Sequence, residues 1–398
     1  MNRTPQGNRL HVGLFGEINA GKSALFNALT NTDISIVSNV AGTTTDSVQK
    51  AMELLPFGPI VLIDTAGLND KTELGGKRLE KTKKVVNRVD LALYVIDAAE
   101  IPNALVLYKE FIEIFKSNNT PHMVVITKCD ITVNPHHDDI FQAIPVSVYE
   151  QETIDELKHA IVRELTAISN EEMTILADFI KPGSTVVTVI PIDSAAPKKR
   201  LILPQVQLLR DCLDHNSMAY ACTVQDLPKA LDNLKRVDLV VTDSQVFDSV
   251  AEIVPKDVML TSFSILMSRQ RGNFEIMLNG IDAIKKLKDG DRVLISEVCT
   301  HSRSHEDIGT VKIPNALYKL GGTELQLEFT QGRDFPQDLS PYSLIVHCGG
   351  CMITAREMHR RTESAKEAGV PITNYGLFLA HATGILERSI EIFKGNGK

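Results

Sequence analysis

The sequence has 398 residues, 43% of them hydrophobic and 23% charged, with no tryptophan and a formal charge of −8. This length exceeds one ordinary core and predicts three domains. The acidic balance and a pI near 5.8 exclude nonspecific nucleic-acid binding as the main task, because that binding is driven by neutralising phosphates.

No uninterrupted run of about 18 apolar residues occurs, and Met1-Asn2-Arg3-Thr4-Pro5-Gln6 offers no apolar h-region. We therefore expect no membrane span and a cytoplasmic location with reduced thiols. Leu10 to Phe15 reads as a short strand running into Gly16-Glu17-Ile18-Asn19-Ala20-Gly21-Lys22-Ser23, after which Ala24 to Leu29 is helical. Strand, glycine loop and helix in that order make a P-loop. Its backbone N–H groups cradle phosphate, Lys22 reaches the β and γ phosphates, and the Ser23 hydroxyl ligates magnesium. Gly42-Thr43-Thr44-Thr45-Asp46 lies in a polar segment suited to a first switch. Ile60 to Ile63 is a buried strand ending in Asp64-Thr65-Ala66-Gly67, where Asp64 can hold the magnesium shell and Gly67 the γ-phosphate.

Leu91 to Ile96 predicts a further strand and Ala104 to Phe115 its crossover helix. Met123 to Ile126 then leads into Thr127-Lys128-Cys129-Asp130. The Asp130 carboxylate can accept two hydrogen bonds from guanine, a donor pattern that adenine lacks, and the Lys128 stem can cover the base. Val146-Ser147-Val148 stands where a backbone amide, of Ser147 or Val148, would meet the guanine oxygen. Thr153 to Ile168 closes this part as a helix.

On these motifs, residues of about 10 to 170 resemble a GTPase of the TRAFAC class, closest to the tRNA-modification and Era-like GTPases. The resemblance implies that Asn19 helps bind an activating potassium ion and that Thr44 sits on magnesium, so Lys22, Thr44 and Asn19 are the groups expected to act in hydrolysis. Leu68 follows Gly67 where Ras-like proteins have a water-orienting glutamine, which implies slow intrinsic turnover.

Beyond a linker at Ser169-Asn170-Glu171-Glu172, strands at 185–190, 218–224 and 237–241 alternate with helices at 205–215 and 226–234, which predicts a small parallel α/β domain from 171 to 262. No catalytic motif appears in it, so an interaction or dimerisation role is expected. Lys198-Lys199-Arg200 reads as a solvated loop.

From about Phe263 a long helical stretch is expected to reach Leu287, and Asp289-Gly290-Asp291 turns into a strand that ends at Cys299-Thr300-His301. Leu344-Ile345-Val346 ends likewise at His347-Cys348-Gly349-Gly350-Cys351. Thr354-Ala355-Arg356-Glu357 is a capping box opening a helix that should stop at Gly369, before Pro371. Loops at neighbouring strand ends converge in open α/β sheets, and three thiolates suit zinc or iron–sulfur. A lone Cys-x-x-Cys also fits a redox pair or two buried thiols. Cys129, Cys212 and Cys222 lack such grouping and read as core or loop residues.

The combination of Cys299-x-His301 and His347-Cys348-x-x-Cys351 behind a GTPase and a motif-free middle domain resembles the HydF family of FeFe-hydrogenase maturation GTPases. The fold expected is therefore α/β throughout: a P-loop GTPase domain, a dimerisation domain and, from 263 to 398, a cluster-binding domain. The resemblance implies a 4Fe–4S cluster on Cys299, Cys348 and Cys351, with His301 or His347 as a possible fourth ligand. It also implies a transient two-iron precursor as cargo, radical-SAM maturases and apo-hydrogenase as partners, and a homodimer, with no nucleic acid or membrane. The rival reading is an RNA-modification or ribosome-assembly GTPase with a structural zinc, for which the acidic sequence offers no basic RNA-binding module.

Overall fold

Short apolar runs bounded by glycine and polar residues become the strands of three sheets in the computed structural model, which describes residues 9–30, 48–65, 85–132, 142–170, 174–192, 201–271, 274–298, 308–322, 324–332 and 334–394. The chain divides into two units, Met1–Glu172 and Met173–Lys398.

In the first unit the strands are β1 (Leu10–Gly16), β2 (Val48–Leu54), β3 (Gly58–Asp64), β4 (Leu91–Asp97), β5 (His122–Thr127) and β6 (Ile144–Val146), in the sheet order β2-β3-β1-β4-β5-β6. Only β2 runs antiparallel to its neighbour. Helices cover both faces, so successive residues of one strand enter opposite cores. Val12 and Leu14 of β1 pack with Leu25 and Leu29 of α1 (Lys22–Thr30) and Leu157 and Ile161 of α3 (Gln151–Asn170). Phe15 packs the other way, against Phe111 and Phe115 of α2 (Ile101–Ser117). Each such buried side chain contributes roughly 1.5–3 kcal/mol relative to exposure. The layered packing carries the C-terminal ends of β1, β3, β4 and β5 to one edge of the sheet.

The second unit holds two four-stranded parallel sheets. The first has the order β10-β9-β7-β8, built from β7 (Thr185–Val189), β8 (Met218–Cys222), β9 (Leu239–Thr242) and β10 (Met259–Ser262), with α4 (Leu203–Asp214), α5 (Leu227–Asn233) and α6 (Phe247–Ile253) between them. The chain passes from Ser262 straight into α7 (Phe263–Arg271), followed by α8 (Phe274–Asn279). The other sheet has the order β12-β11-β13-β14, from β11 (Arg292–Glu297), β12 (Gln326–Gln331), β13 (Leu344–His347) and β14 (Ile372–Asn374). It is accompanied by α9 (Ile313–Gly321), α10 (Ala355–Glu367) and α11 (Tyr375–Ala382).

The domain boundary expected at residue 262 falls inside this unit. Val187, Val240 and Leu260 of one sheet share a continuous core with Ile295, Leu344 and Val346 of the other, and near the C-terminus Ile392 packs with Ile175 and Leu176. Where the sequence suggests one long helix from Phe263 to Leu287, the described residues form α7, α8 and one turn at Ile281–Ile284, with 272 and 273 outside the described residues. Gly280, between α8 and that turn, keeps helical dihedrals (φ −61°, ψ −24°) and lies so close to β14 that a Cβ there would sit 2.1 Å from the Ile372 carbonyl oxygen. Half of the expected capping box forms: the Thr354 hydroxyl accepts from the Glu357 N–H at 3.2 Å, while the Glu357 carboxylate accepts from Arg361 at 3.0 Å, and Gly369 takes a positive φ of 68° past the end of α10.

Candidate functional site

The P-loop conformation follows from where its backbone must bend. Gly16 (φ 133°) and Gly21 (φ 85°) lie in the left-handed half of φ space, as does Asn19 at 66°. A Cβ on Gly16 would sit 2.2 Å from the Val95 carbonyl oxygen, so only glycine fits beside β4. The Lys22 ammonium, buried at the start of α1, donates to the carbonyls of Gly16 and Glu17. Ser23 Oγ donates to Asp64 Oδ2 at 2.8 Å, which places the two expected magnesium ligands together although 41 residues separate them. Thr127 Oγ1 donates to the carbonyls of Ala20 (2.7 Å) and Ile96 (3.2 Å), fastening the P-loop to β4 and β5.

Lys128 (φ 60°) reaches across the same edge, donating to the Asn19 carbonyl at 3.0 Å and pairing with Asp97. Asp130 is exposed, and Ser147 is buried while Val148 is partly exposed. The Ser147 N–H donates to Thr153 Oγ1 at 3.0 Å. Ala24 continues α1 behind Ser23. Thr44 and Gly67 lie outside the described residues.

The cysteine loop is built by the register of β11 and β13, in which Ser296 pairs with His347. Parallel strands in that register end together, and the Cys348 N–H donates to the Ser296 carbonyl at 2.9 Å. Val298, the residue before Cys299 in the chain, donates its N–H to Cys348 Sγ at 3.2 Å, and Gly350 adds a second N–H at 3.5 Å. Gly350 needs its positive φ of 65° to close this turn. Cys348 is buried, which pushes its thiol up to about 11 despite the two amides that favour the thiolate. Cys351 is partly exposed.

His347 is fully buried and uses both ring nitrogens internally. Nε2 faces Arg361 Nη1 at 3.2 Å, and Nδ1 meets the Cys348 carbonyl at 2.6 Å. Guanidinium can only donate, so Nε2 accepts and Nδ1 carries the proton. Burial, then the Arg361 charge, push the imidazole down to about 3, so it is neutral at ordinary pH. Arg361 in turn pairs with Glu357 at 3.0 Å and lies over the Phe335 ring.

A thiol that receives two backbone amides, with a second, partly exposed thiol three residues on, is the donor chemistry a thiolate-bound metal centre uses. Among the described residues, no group of three or more His, Cys, Asp or Glu side chains is arranged to hold a metal ion. Cys299 and His301 lie outside the described residues. Cys129, Cys212 and Cys222 are thiols on other elements, and burial pushes Cys212 up to about 11. Sequence reasoning missed Asp97, Arg361 and Arg271, which touches the cysteine loop. An acidic residue closing the buried strand Leu91–Ile96 was a usable signal for Asp97; nothing local marked the two arginines.

Residues 275–392 match the model of the hydrogen maturase F tetramerization domain, residues 175–272 that of the hydrogen maturase F dimerization domain, and residues 11–128 that of a 50S ribosome-binding GTPase. The GTPase Der of Sulfurimonas denitrificans is 31% identical over 176 residues, covering 44% of this chain and 34% of Der. The tRNA modification GTPase MnmE of Aquifex aeolicus is 30% identical over 169 residues, covering 41% and 36%. The chain thus spans about a third of the length of these relatives. Among solved structures, the G domain of the T. maritima FeoB iron transporter aligns at 25% identity over 40% of this chain and 99% of that one, with a TM-score of 0.32. Aquifex aeolicus Era bound to GDP and AlF4- aligns at 23% identity over 54% and 92%, with a TM-score of 0.31. The chain carries a GTPase domain followed by α/β domains of the dimerization and tetramerization types, and among the described residues no helix is long and apolar enough to cross a membrane.

The contrast between the two thiols is directly measurable. In metal-free protein at pH 8, iodoacetamide should modify Cys351 at least about tenfold faster than Cys348, because alkylation needs access and thiolate. Peptide mass spectrometry over a time course gives both rates, and equal rates would contradict the burial of Cys348.

Proposed function

We propose, for a chain that belongs to the hydrogen maturase F family, that it is a GTP-hydrolysing scaffold that holds a 4Fe–4S cluster and hands a two-iron precursor of the FeFe-hydrogenase active site to the apo-enzyme. The observation that carries this reading is the meeting of the Val298 amide with Cys348 Sγ at 3.2 Å, which brings the segment leading into Cys299 against the Cys348-x-x-Cys351 loop. Cys299, Cys348 and Cys351 would hold the cluster. When bound, it would supply iron for electron storage or for an exchangeable ligand.

Both nitrogens of His347 are engaged, so we assign it to packing beneath the loop and leave the fourth iron ligand to His301, a carboxylate or solvent. The two-iron unit is cargo, made with radical-SAM maturases, and the chain works in the cytoplasm without nucleic acid or membrane.

In the GTPase domain Lys22 neutralises the β and γ phosphates, Ser23, Thr44 and Asp64 serve magnesium, and Gly67 reads the γ-phosphate. Asp130 reads guanine and Lys128 covers it, held in place by Asp97. Thr153 occupies the Ser147 amide, so the Val148 amide is the donor we assign to the guanine oxygen. Asn19 contributes to a potassium site. Order in the switches at Thr44 and Gly67 then governs partner association.

The edge strand β8 supports a homodimer. Met218 is 59% and Tyr220 42% exposed on it, and Val206 and Leu213 are exposed on the adjoining α4. An open apolar edge of this kind pairs with a second copy about a two-fold axis.

Native protein should hydrolyse GTP in strong preference to ATP and faster in potassium than in sodium. Asp130→Asn should move the preference to xanthosine triphosphate, and Lys22→Ala should lower turnover by about 100-fold or more. Phosphate-release assays with the three nucleotides decide this, and equal native rates on ATP and GTP would refute the assignment. After anaerobic reconstitution with ferrous iron and sulfide, Cys299→Ser, Cys348→Ser or Cys351→Ser should each lose the iron and the EPR signal, whereas His347→Asn should keep most of the iron. A colourless native protein that binds zinc instead sinks the cluster reading. The double substitution Met218→Lys with Tyr220→Lys should lower the mass seen by light scattering; an unchanged mass removes β8 from the subunit contact.

A further inference from the structure

We infer that Arg271 is a positioning residue for the cysteine loop, fixing its backbone and tying it to helix α4 of the neighbouring sheet. Arg271 closes α7, is 5% exposed, and lies with its guanidinium against the loop. Nη1 donates to the carbonyls of Gly350 at 3.2 Å and Ile353 at 3.0 Å, and Nη2 donates to Gln207 Oε1 at 3.3 Å. The two carbonyls bracket Cys351. A rigid planar fork of N–H groups can serve three acceptors at once, which a lysine ammonium on a flexible stem does poorly.

Gly350 is thereby held from both ends. Its N–H points at Cys348 Sγ, while its carbonyl lies under Arg271 and also accepts the Ile353 N–H at 3.2 Å. Removing Arg271 frees the carbonyl side of Gly350, the residue whose left-handed turn aims its own N–H at sulfur. Two consequences follow from the geometry. The loop is preorganised before any metal arrives, and a fixed positive charge lies beside the Gly350–Cys351 peptide, where it stabilises negative charge gathered on the thiolates. The third bond runs to Gln207, which adjoins Val206 on α4, the helix whose exposed side chains lie along the proposed subunit contact. Loop and contact therefore share one helix. Arg269, one position pair earlier in α7, is turned the other way, pairing with Asp178 and stacking on Phe179.

The charge effect rests on the cluster reading above; the preorganisation does not. Arg271→Gln, Arg271→Lys and Gln207→Ala, checked by circular dichroism, separate the two. In metal-free protein, Arg271→Gln should raise the alkylation rate of Cys348 by about tenfold, as expected when charge-assisted hydrogen bonds that close a loop are lost. Arg271→Lys should recover only part of that protection, and Gln207→Ala should raise the rate by a smaller factor. In reconstituted protein, Arg271→Gln should shift the cluster midpoint potential to more negative values and alter its EPR spectrum, and Arg271→Lys should restore the potential. Native alkylation rates and an unmoved potential in a folded Arg271→Gln variant would overturn the proposal. If that variant does not fold, native rates in Gln207→Ala overturn the tie to α4, and raised rates support it. Should the native chain hold no cluster, the alkylation series still decides the positioning role while the cluster reading alone fails.

Discussion

Two parallel strands in register, Arg292–Glu297 and Leu344–His347, set the chemistry available to the C-terminal half of this chain. Their pairing of Ser296 with His347 makes both strands end at one edge, and everything about the cysteine loop depends on that. The Cys348 amide bonds back to Ser296, the Val298 amide points at the Cys348 sulfur, and the loop then turns at Gly350. A slip of one residue would send Cys348 to the opposite face of the sheet. Burial of the strands on both faces makes such a slip costly, since Val293, Ile295, Leu344 and Val346 all fill the shared core.

Around that edge several of the described polar groups are paired with one another. His347 passes a hydrogen bond from Arg361 to the Cys348 carbonyl and remains neutral, Arg361 meets Glu357, and Arg271 caps the outer carbonyls of the loop. Buried polar networks of this kind are costly when broken, because each lost partner leaves a desolvated group behind. They also hold a thiol-bearing loop in one shape. The nucleotide edge of the GTPase domain follows the same principle with different parts. There, glycines at 16 and 21 let the backbone curl against β4 and β5, and Thr127, Lys128 and Asp97 lace the loop to strand ends that come from distant parts of the sequence.

The middle and C-terminal regions share one hydrophobic core. Without a linker between Ser262 and Phe263, α7 begins under one sheet and ends, at Arg271, against the loop of the other. The hydrogen bonds of Arg271 join α4, through Gln207, to the cysteine loop of the second sheet.

The sequence by itself determined what is local. The P-loop, the guanine motif, the N-cap at Thr354 and the Cys348-x-x-Cys351 turn are each written in a few contiguous residues, because each works through the backbone of consecutive positions or a fixed helical spacing. Strand and helix order was legible for the same reason, from apolar runs and their periods. Tertiary structure alone decided the rest. It set Gly280 so close to β14 that a Cβ would meet the Ile372 carbonyl, and nothing near Gly280 in the chain reveals that approach. It engaged both ring nitrogens of His347, one of them with Arg361, 14 residues away on another element. It also separated Arg269 from Arg271, alike in composition and context, by turning one toward Asp178 and the other toward Gly350. Pairings over such distances leave no periodic trace in a single sequence; they are fixed only when the sheets and helices pack and buried polar groups find partners.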